Sequence, residues 1–400
     1  ARSLREMLGA HGQAGELGSA SQATRITLLT GSLPARARKQ ALLDAASGAA
    51  GIVVGTHALI QDRVSFADLG LVVVDEQHRF GVEQRDALRA RAVDGTSPHV
   101  LVMTATPIPR TVAMTVYGDL EVSALRELPR GRSPISTTVV PVGEKPSWLD
   151  RVWQRITEET AGGRQAYVVC PRIGGDGDPG DTVSDGSLDP PEGDGARPPL
   201  AVLELAPQLE SGPLAGLRLG VLHGRLPGTD KDTVMQSFAA GEIDALVATT
   251  VVEVGVDVPN ATVMVIMDAQ RFGVSQLHQL RGRVGRGSHS GLCLLVTDSP
   301  EGSTARERLD AVAATTDGFE LARLDLELRR EGDVLGAIQS GRRSGLKLLS
   351  LLRDEDLIGQ AREAAQRLIH ADPALTGHPG LARLAGELLD EQRAQFLQKI

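Results

Sequence analysis

The chain is 400 residues long, which suits two or three domains with full-sized cores. Its hydrophobic content of 41% is typical of a globular protein, and no apolar run approaches the roughly 20 residues that a membrane-spanning helix needs. The net charge of -9 does not exclude a nucleic-acid partner because much of it is local, whereas an aromatic content of only 2% disfavours single-strand binding by base stacking.

The local acidity lies in a Gly/Asp/Pro-rich segment, residues 174–199, which carries seven acidic side chains and one basic side chain. A segment of this composition cannot bury enough apolar surface to fold, so we expect a disordered acidic loop there. An unconstrained surface insertion is the simpler interpretation, and a regulatory element is the alternative.

Strand-like apolar runs alternate with helix-compatible segments in the first part of the chain. The runs are Ile26–Leu29, Ile52–Val54, Leu71–Val74 and Val100–Met103. Such alternation predicts a parallel sheet with helices on its faces. A stretch rich in Pro and Arg, Leu128–Pro134, follows as a candidate linker.

The alternation then restarts. The predicted strands are Ala166–Cys170, Leu217–Leu222, Ala245–Ala248, Val263–Met267 and Leu292–Val296, and Lys231–Ala240 is a predicted helix. From Thr304 onward the pattern is helical. The sequence therefore predicts an α/β fold with two parallel-sheet domains, the first incomplete, and a helical hairpin and tail. We place these parts at 1–140, 141–303 and 304–400.

Both cysteines, Cys170 and Cys293, lie in apolar strand-like runs. Buried free thiols in a reducing cytosol are the expected state, in preference to a disulfide. Zinc binding is disfavoured because neither cysteine has a Cys or His partner at zinc spacing.

Two adjacent carboxylates, Asp75 and Glu76, follow the predicted buried strand Leu71–Val74, and Gln77 and His78 come next. The carboxyl end of a parallel strand is where open α/β sheets bind ligands. In nucleotide hydrolases the first acid helps to hold Mg²⁺, and a neighbouring residue can orient the attacking water. No Gly-Lys dipeptide, which a phosphate loop requires, occurs in the sequence. We therefore expect the chain to begin within a nucleotide-hydrolase domain.

A second motif rich in arginine and glycine spans Gln279–Gly287. On a helix, Gln279, Arg283 and Arg286 would share one face, from which the arginines could neutralise charge on a transferred phosphoryl group. The interleaved glycines make sense if another backbone or a phosphate approaches closely. The alternative is a solvated basic helix end.

Two further motifs also follow predicted strands. Ala248–Pro259 contains Gly255 and ends with Asp257 near the same ligand edge, and Thr104–Arg110 carries two threonines. Their hydroxyl groups either relay the state of a bound nucleotide or cap a turn.

In this order the four motifs resemble motifs II, III, V and VI of superfamily 2 helicases. More narrowly, Asp75–Val82 and Leu277–Gly287 resemble the RecG family of bacterial branch-migration helicases. The resemblance implies two RecA-like domains and an ATP-dependent double-stranded DNA translocase, of which this chain would be the C-terminal portion. The family's wedge domain and phosphate loop would lie upstream.

The resemblance also implies roles for individual residues. Asp75 would bind Mg²⁺ through water, Glu76 would activate the hydrolytic water, and Arg283 with Arg286 would act as an arginine finger. The implied nucleotide-binding residues are Gln77, His78, Gln279, Gly255 and Asp257. The implied residues for DNA binding or coupling are Thr30, Gly31, Ser32, Thr56, Thr104, Thr106, His223, Arg225, Thr249, Thr250, Arg329 and Gln339.

The segment Leu326–Gly341 is similar to the translocation motif that RecG shares with the transcription-repair coupling factor. It departs from that motif at Arg330-Glu331, where the family commonly has Gly-Pro, and at Ala337-Ile338, where it commonly has Thr-Arg. A capped helix pair with a solvent loop would give a similar pattern.

The resemblance implies branch migration of Holliday junctions and remodelling of stalled replication forks in recombination and repair. ATP and Mg²⁺ are the implied cofactors. Branched double-stranded DNA is the implied partner, with single-stranded DNA-binding protein as a second one, and we expect a monomer associated with the nucleoid in the bacterial cytoplasm.

Two alternatives remain open from the sequence. A translocase like the transcription-repair coupling factor shares the Thr-Pro-Ile-Pro-Arg stretch, but Gln77-His78 argues against it because that family usually has Glu-Gln there. A non-enzymatic DNA-binding remnant of a truncated gene is favoured by the missing Gly-Lys dipeptide. Either way, we expect the 400 residues alone to hydrolyse little ATP.

Overall fold

A computed structural model describes residues 1–12, 14, 23–31, 33–59, 64–76, 98–104, 123–125, 133–174, 199–253, 258–328 and 354–387. The chain divides into two compact units, Ala1–Ala105 and Thr106–Ile400. The expected acidic loop lies outside the described residues except at its ends, and most of the expected linker does too.

The first unit contains four short strands and two helices among its described residues. In chain order these are α1 (Arg2–Leu8), β1 (Ile26–Leu29), α2 (Ala35–Ala46), β2 (Ile52–Gly55), β3 (Leu71–Val74) and β4 (His99–Val102). Strand β1 pairs in parallel with β2, and β3 pairs in parallel with β4. The predicted parallel pairing is confirmed, although the described strands form two separate two-stranded sheets in place of the single sheet expected. Strands β1 and β3 have the expected bounds, β2 extends one residue further, and β4 lies one residue earlier.

Helix α2 forms the crossover between β1 and β2, which is the connection that parallel strands need. It buries Ala41 against Leu29 of β1 and Val64 of the following loop. Leu29 of β1 and the partly buried Val53 of β2 thus pack in one cluster with the helix, whereas Leu28 on the opposite face of β1 is exposed.

The second unit is built on a six-stranded parallel sheet. Its strands are β5 (Ile135–Pro141), β6 (Gln165–Val169), β7 (Leu219–Leu222), β8 (Ala245–Ala248), β9 (Ala261–Ile266) and β10 (Gly291–Thr297). Their spatial order is β5-β10-β9-β6-β8-β7. The helices are α3 (Ser147–Ala161), α4 (Val202–Ser211), α5 (Gly228–Ala239), α6 (Val274–Arg281), α7 (Thr304–Ala314), α8 (Gly318–Leu328) and α9 (Glu355–Ala371).

Both faces of this sheet are covered, as expected for strands made of continuous apolar runs. Side chains alternate along each strand, so Tyr167 of β6 points into one core cluster and its neighbour Val168 into the other. Helices α3 and α4 cover the Val168 face. Helices α5 to α8 cover the Tyr167 face, where the Tyr167 and Phe238 rings pack edge to face.

Two features of the second unit differ from the sequence analysis. Strand β5 was not predicted, and it lies at residues 135–141, ahead of the boundary placed at 141. The helices after Thr304 are also part of the sheet's core, because Leu309 and Val312 of α7 and Leu321 of α8 are buried in the same cluster as β9 and β10. Among the described residues, no helix combines the length and apolar character that crossing a membrane requires.

Candidate functional site

Asp75 and Glu76 directly follow β3, as the sequence predicted. Asp75 is exposed, and its Oδ1 accepts a hydrogen bond of 2.9 Å from the Glu76 backbone N–H. Glu76 has a φ of 54°, in the left-handed region that side chains other than glycine seldom adopt. The chain therefore turns sharply at the end of the strand, and strained backbone of this kind is concentrated at functional sites.

Thr104 lies beside this pair. Val74 of β3 is in register with Val102 of β4, and the Met103 N–H donates to the Val74 carbonyl at 2.8 Å. The two parallel strands thus end at one edge, where the register continues with Met103 opposite Asp75 and Thr104 opposite Glu76.

A second edge of the first unit carries Thr30 and Thr56. They follow β1 and β2, whose last residues, Leu29 and Gly55, are register partners. A Cβ at Gly55 would lie 2.2 Å from the Leu29 carbonyl oxygen, so only glycine permits this approach. Gly31 follows Thr30 at the same edge, and a Cβ on it would meet no atom within 4 Å. The structure brings Thr30 and Thr56 together.

The second unit brings His223 and Thr249 together in the same way. They follow β7 and β8, and the Thr249 N–H donates to the Leu222 carbonyl at 3.1 Å. His223 is 9% exposed and its Nδ1 has no hydrogen-bond partner in the described structure. Burial, and then the charge of Lys231, lowers the pKa of His223 below its usual value. Thr250 starts a 3-10 turn, Thr250–Glu253.

Two cations stand beside His223. Arg225 is exposed, and its guanidinium donates to the Gly174 carbonyl at 3.2 Å. The Lys231 ammonium donates to the Gly224 carbonyl at 2.6 Å. The sequence analysis assigned Arg225 but missed Lys231, whose signal was its place in the first turn of α5, six residues after Arg225.

The expectation that Gln279, Arg283 and Arg286 share one helix face is wrong. Helix α6 ends at Arg281, and Gly282 is its C-cap, so Gln279 is helical while the two arginines lie in the turn beyond. All three side chains are half-buried. The Arg286 Nε donates to the Gly282 carbonyl at 2.9 Å, which holds the start of its side chain near the helix end.

The glycines of this turn admit close backbone contacts. Gly285 has a φ of 69°, and a Cβ on it would lie 2.9 Å from Ile135 Cγ1 and 3.3 Å from the Ser133 carbonyl oxygen. A Cβ on Gly287 would lie 2.5 Å from the Pro259 carbonyl oxygen. Of the two explanations offered for the glycines, the approach of another backbone is therefore the one that the structure displays.

Arg281, within the same motif, was not assigned a role from sequence. Its side chain is buried, with 3% exposure, and it donates to backbone carbonyls at the end of α7. The sequence offers no signal for this burial, because an arginine in the motif is written the same way whether its side chain faces a cleft or the core.

Both cysteines are free and buried, as expected. Burial raises the pKa of Cys170 and, to about 12, that of Cys293, which leaves both thiols protonated and unreactive at neutral pH. Among the described residues, no cluster of three or more His, Cys, Asp or Glu side chains could hold a metal ion.

Several assigned residues lie outside the described part of the chain, and their placement stays a prediction. They are Ser32, Gln77, His78, Thr106, Gly255, Asp257, Arg329 and Gln339.

Three protein-family models match the chain. Residues 10–115 match the DEAD/DEAH box helicase model, and residues 202–288 match the helicase conserved C-terminal domain. Residues 315–393 match domain 3, C-terminal, of the ATP-dependent DNA helicase RecG. The protein named ATP-dependent DNA helicase RecG in Mycobacterium leprae is 56% identical over 399 residues, 99% of this chain. The chain belongs to the RecG family.

RecG proteins of other bacteria are also similar in sequence to this chain. That of Bacillus subtilis is 46% identical over 364 residues, which cover 91% of this chain and 49% of the relative. The chain also covers 52% of the Mycobacterium leprae RecG. It therefore spans about half the length of the curated RecG relatives that it matches.

A solved RecG structure has a similar fold. The structure of RecG bound to a three-way DNA junction superposes with a TM-score of 0.60 at 35% identity, covering 89% of this chain and 41% of that chain. Mss116p bound to ssRNA and AMP-PNP gives a TM-score of 0.50 at 16% identity over 77% of this chain and 61% of that one, which shows the helicase fold alone. The predicted α/β class with RecA-like domains is confirmed.

Proposed function

We propose that this chain forms the greater part of the motor of an ATP-dependent double-stranded DNA helicase, which branch-migrates Holliday junctions and remodels stalled forks in recombination and repair. The observation that carries the proposal is the position of Asp75 and Glu76 at the carboxyl end of β3, in a chain 56% identical to a RecG helicase. That edge is where parallel α/β sheets hold their ligands.

The Asp75 side chain suits Mg²⁺. It is an exposed carboxylate at the strand end, and Mg²⁺ is held in nucleotide sites by one or two carboxylates, by water and by substrate phosphates. Bound Mg²⁺ with ATP would supply charge neutralisation on the phosphates. The backbone N–H of Glu76 donates to the Asp75 carboxylate and would hold it in place, and the Glu76 carboxylate would orient the attacking water.

The turn after α6 would supply the opposing charges. Arg283 and Arg286 would act as an arginine finger on the transferred phosphoryl group, and Gln279 would contact a nucleotide phosphate. Their support is the end of α6 at Arg281, after which Arg283 and Arg286 lie in the turn beyond the helix. Gln77, His78, Gly255 and Asp257 would complete the nucleotide contacts.

DNA phosphates would lie along two edges. Thr30, Gly31 and Thr56 form one, and His223, Arg225 and Thr249 with Thr250 form the other. Hydroxyl groups, backbone N–H groups and cations contact phosphates without reading sequence, as a translocase requires. Thr104 and Thr106 would couple hydrolysis to movement, and Ser32, Arg329 and Gln339 would add DNA contacts.

The proposed partner is branched double-stranded DNA, and the junction-bound RecG structure is the nearest support for it. Single-stranded DNA-binding protein is a second proposed partner. A monomeric state and a place on the nucleoid of a bacterial cytoplasm complete the proposal.

Replacing Glu76 by Gln in the complete gene product that contains this chain tests the proposal. Loss of a positioned catalytic carboxylate should lower junction-stimulated ATP hydrolysis by about 10²-fold or more while ATP binding remains. Asp68→Asn, which changes an exposed carboxylate of the same unit, is the matched control and should hydrolyse ATP normally. Normal hydrolysis by the Glu76→Gln protein would overturn the assignment.

A further inference from the structure

Ser133 lies beside the turn that carries Arg283 and Arg286. It is half-buried and stands two residues before β5, near the end of the stretch that the sequence predicts as a linker. Its hydroxyl group donates a hydrogen bond of 3.0 Å to the carbonyl of Gly287, which is 154 residues further along the chain. A side chain from outside the motif therefore contacts the backbone of the motif, directly after Arg286.

The first half of this turn is anchored without Ser133. The Gly282 N–H donates to the His278 carbonyl at the end of α6, and Val284 is completely buried in the core. The Arg286 Nε atom then donates back to the Gly282 carbonyl at 2.9 Å. Up to Arg286, the turn thus follows the end of a packed helix.

The second half of the turn has no apolar side chain to hold it. Residues 287–290 are Gly-Ser-His-Ser, and the last three of them are exposed. Gly287 admits a close approach to Pro259, whose carbonyl oxygen would lie 2.5 Å from an added Cβ, but a glycine contributes no side-chain packing of its own. Glycine also has more backbone freedom than any other residue. The hydroxyl group of Ser133 therefore gives a directional contact at the point of the turn that is easiest to rotate.

The segment around Ser133 is fixed to the sheet. Gly291, the first residue of β10, is the register partner of Ile135, and its N–H donates to the Pro134 carbonyl at 3.0 Å. The Ser133 carbonyl oxygen also lies close to Gly285, where an added Cβ would be 3.3 Å from it. Ser133 is thus attached to the sheet through its backbone and to the turn through its side chain, so it can set the position of the turn relative to the sheet.

We propose that Ser133 is a positioning residue for Arg286. The inference rests on the proposed function, in which Arg286 neutralises charge on the transferred phosphoryl group. Gly287 directly follows Arg286, so holding its carbonyl fixes the direction in which the chain leaves the arginine. Stabilisation of a transition state depends on groups placed in advance, and a displacement of about 1 Å can cost about 10²-fold in rate. This role needs no contact between Ser133 and the nucleotide.

Steady-state ATP hydrolysis by the complete gene product tests this role. Ser133→Ala should lower the junction-stimulated kcat by about tenfold, because the arginine acts in the transition state, and should change KM for ATP by less than about twofold. Ser133→Thr keeps the hydroxyl group and should retain most of the wild-type rate. Ser211→Ala, which removes another hydroxyl group that donates to a backbone carbonyl, is the matched control and should hydrolyse ATP as the wild type does.

A double-mutant cycle separates positioning from a general effect on stability. If Ser133 acts through Arg286, Ser133→Ala should cost about tenfold in the wild type and nothing further in the residual hydrolysis of Arg286→Ala. Ser133→Cys, which keeps nearly the same volume but donates weakly, repeats the comparison without leaving a gap. A residue that only stabilised the fold would lower kcat by the same factor in both backgrounds, and that result would overturn the inference.

The outcomes separate the inference from the function beneath it. If Arg286→Ala hydrolyses ATP as the wild type does, the proposed function loses its arginine finger. If Arg286→Ala loses hydrolysis while Ser133→Ala keeps both kcat and KM, the positioning role fails alone. A rise in KM without a fall in kcat would also overturn this role, because it would mean that Ser133 contributes to the binding of ATP in the ground state.

Discussion

Gly285 illustrates how a single missing Cβ shapes the turn that presents Arg283 and Arg286. Its φ of 69° is strained for any L side chain, and the space for a Cβ is already taken by Ile135 and the Ser133 carbonyl. Only glycine satisfies both conditions, and the turn can therefore pass close to β5 before entering β10.

Gly285→Ala should destabilise the fold more than Gly216→Ala. Both positions have positive φ, 69° and 89°, but a Cβ at Gly216 meets nothing within 4 Å. Backbone strain is common to the two variants, so the difference in the free energy of unfolding, expected at about 1–3 kcal/mol, reports the clash. Urea unfolding measures this difference. Equal losses of stability in the two variants would show that β5 moves to accommodate the added methyl group.

Sequence reasoning located the residues that follow strands but not those that work from within the core. The place of Asp75 was predictable because a polar residue directly after an apolar strand lies at a sheet edge, whereas His223 and Thr249 were assigned through the family resemblance. Arg281 was not, because its role depends on the carbonyls of α7, which only the tertiary packing brings to it.

At the scale of elements, α7 belongs to the core of the second sheet. Leu309 is fully buried there, and α7 packs on β5. Leu309→Ala should therefore lower the free energy of unfolding of the second unit by about 2–5 kcal/mol. Leu203→Ala in α4, at 41% exposure, is the matched control and should have a much smaller effect. Thermal unfolding measures both, and a similar small loss in each would mean that α7 is only loosely attached.

The strands were predictable from sequence wherever their residues were apolar throughout. Leu71–Val74 and Ala245–Ala248 have the predicted bounds, and Ala245–Ala248 is buried throughout. The expectation that Leu71–Val74 is a buried strand is wrong, because Leu71 and Val73 are exposed on one face while Val74 is buried. Strand β5 was missed because an edge strand tolerates Ser136, Thr137 and Thr138, whose polarity hides the pattern. The helix expected to reach Arg286 stops at Arg281 because Gly282 and Gly285 favour termination.

At the scale of the whole molecule, the 400 residues expressed alone should hydrolyse ATP at little above the background rate. They contain no Gly-Lys dipeptide, and without the N–H groups and lysine of a phosphate loop most of the binding energy for the β- and γ-phosphates is missing. The rate of phosphate release, measured with and without junction DNA and compared with that of the complete gene product, tests this expectation. DNA-stimulated turnover that Glu76→Gln abolishes would contradict the expectation.

The pairing of β5 with β10 has a consequence for how the second unit is made. Strand β5 is the first strand of its sheet to be synthesised, and β10, its neighbour in the sheet, is the last. On the ribosome, β5 must therefore wait unpaired until every other strand has emerged. Long-range pairing of this kind slows folding. The nascent sheet thus has an unpaired edge on the β10 side for most of its synthesis. During this interval a chaperone, or another chain with which it would aggregate, can bind that edge.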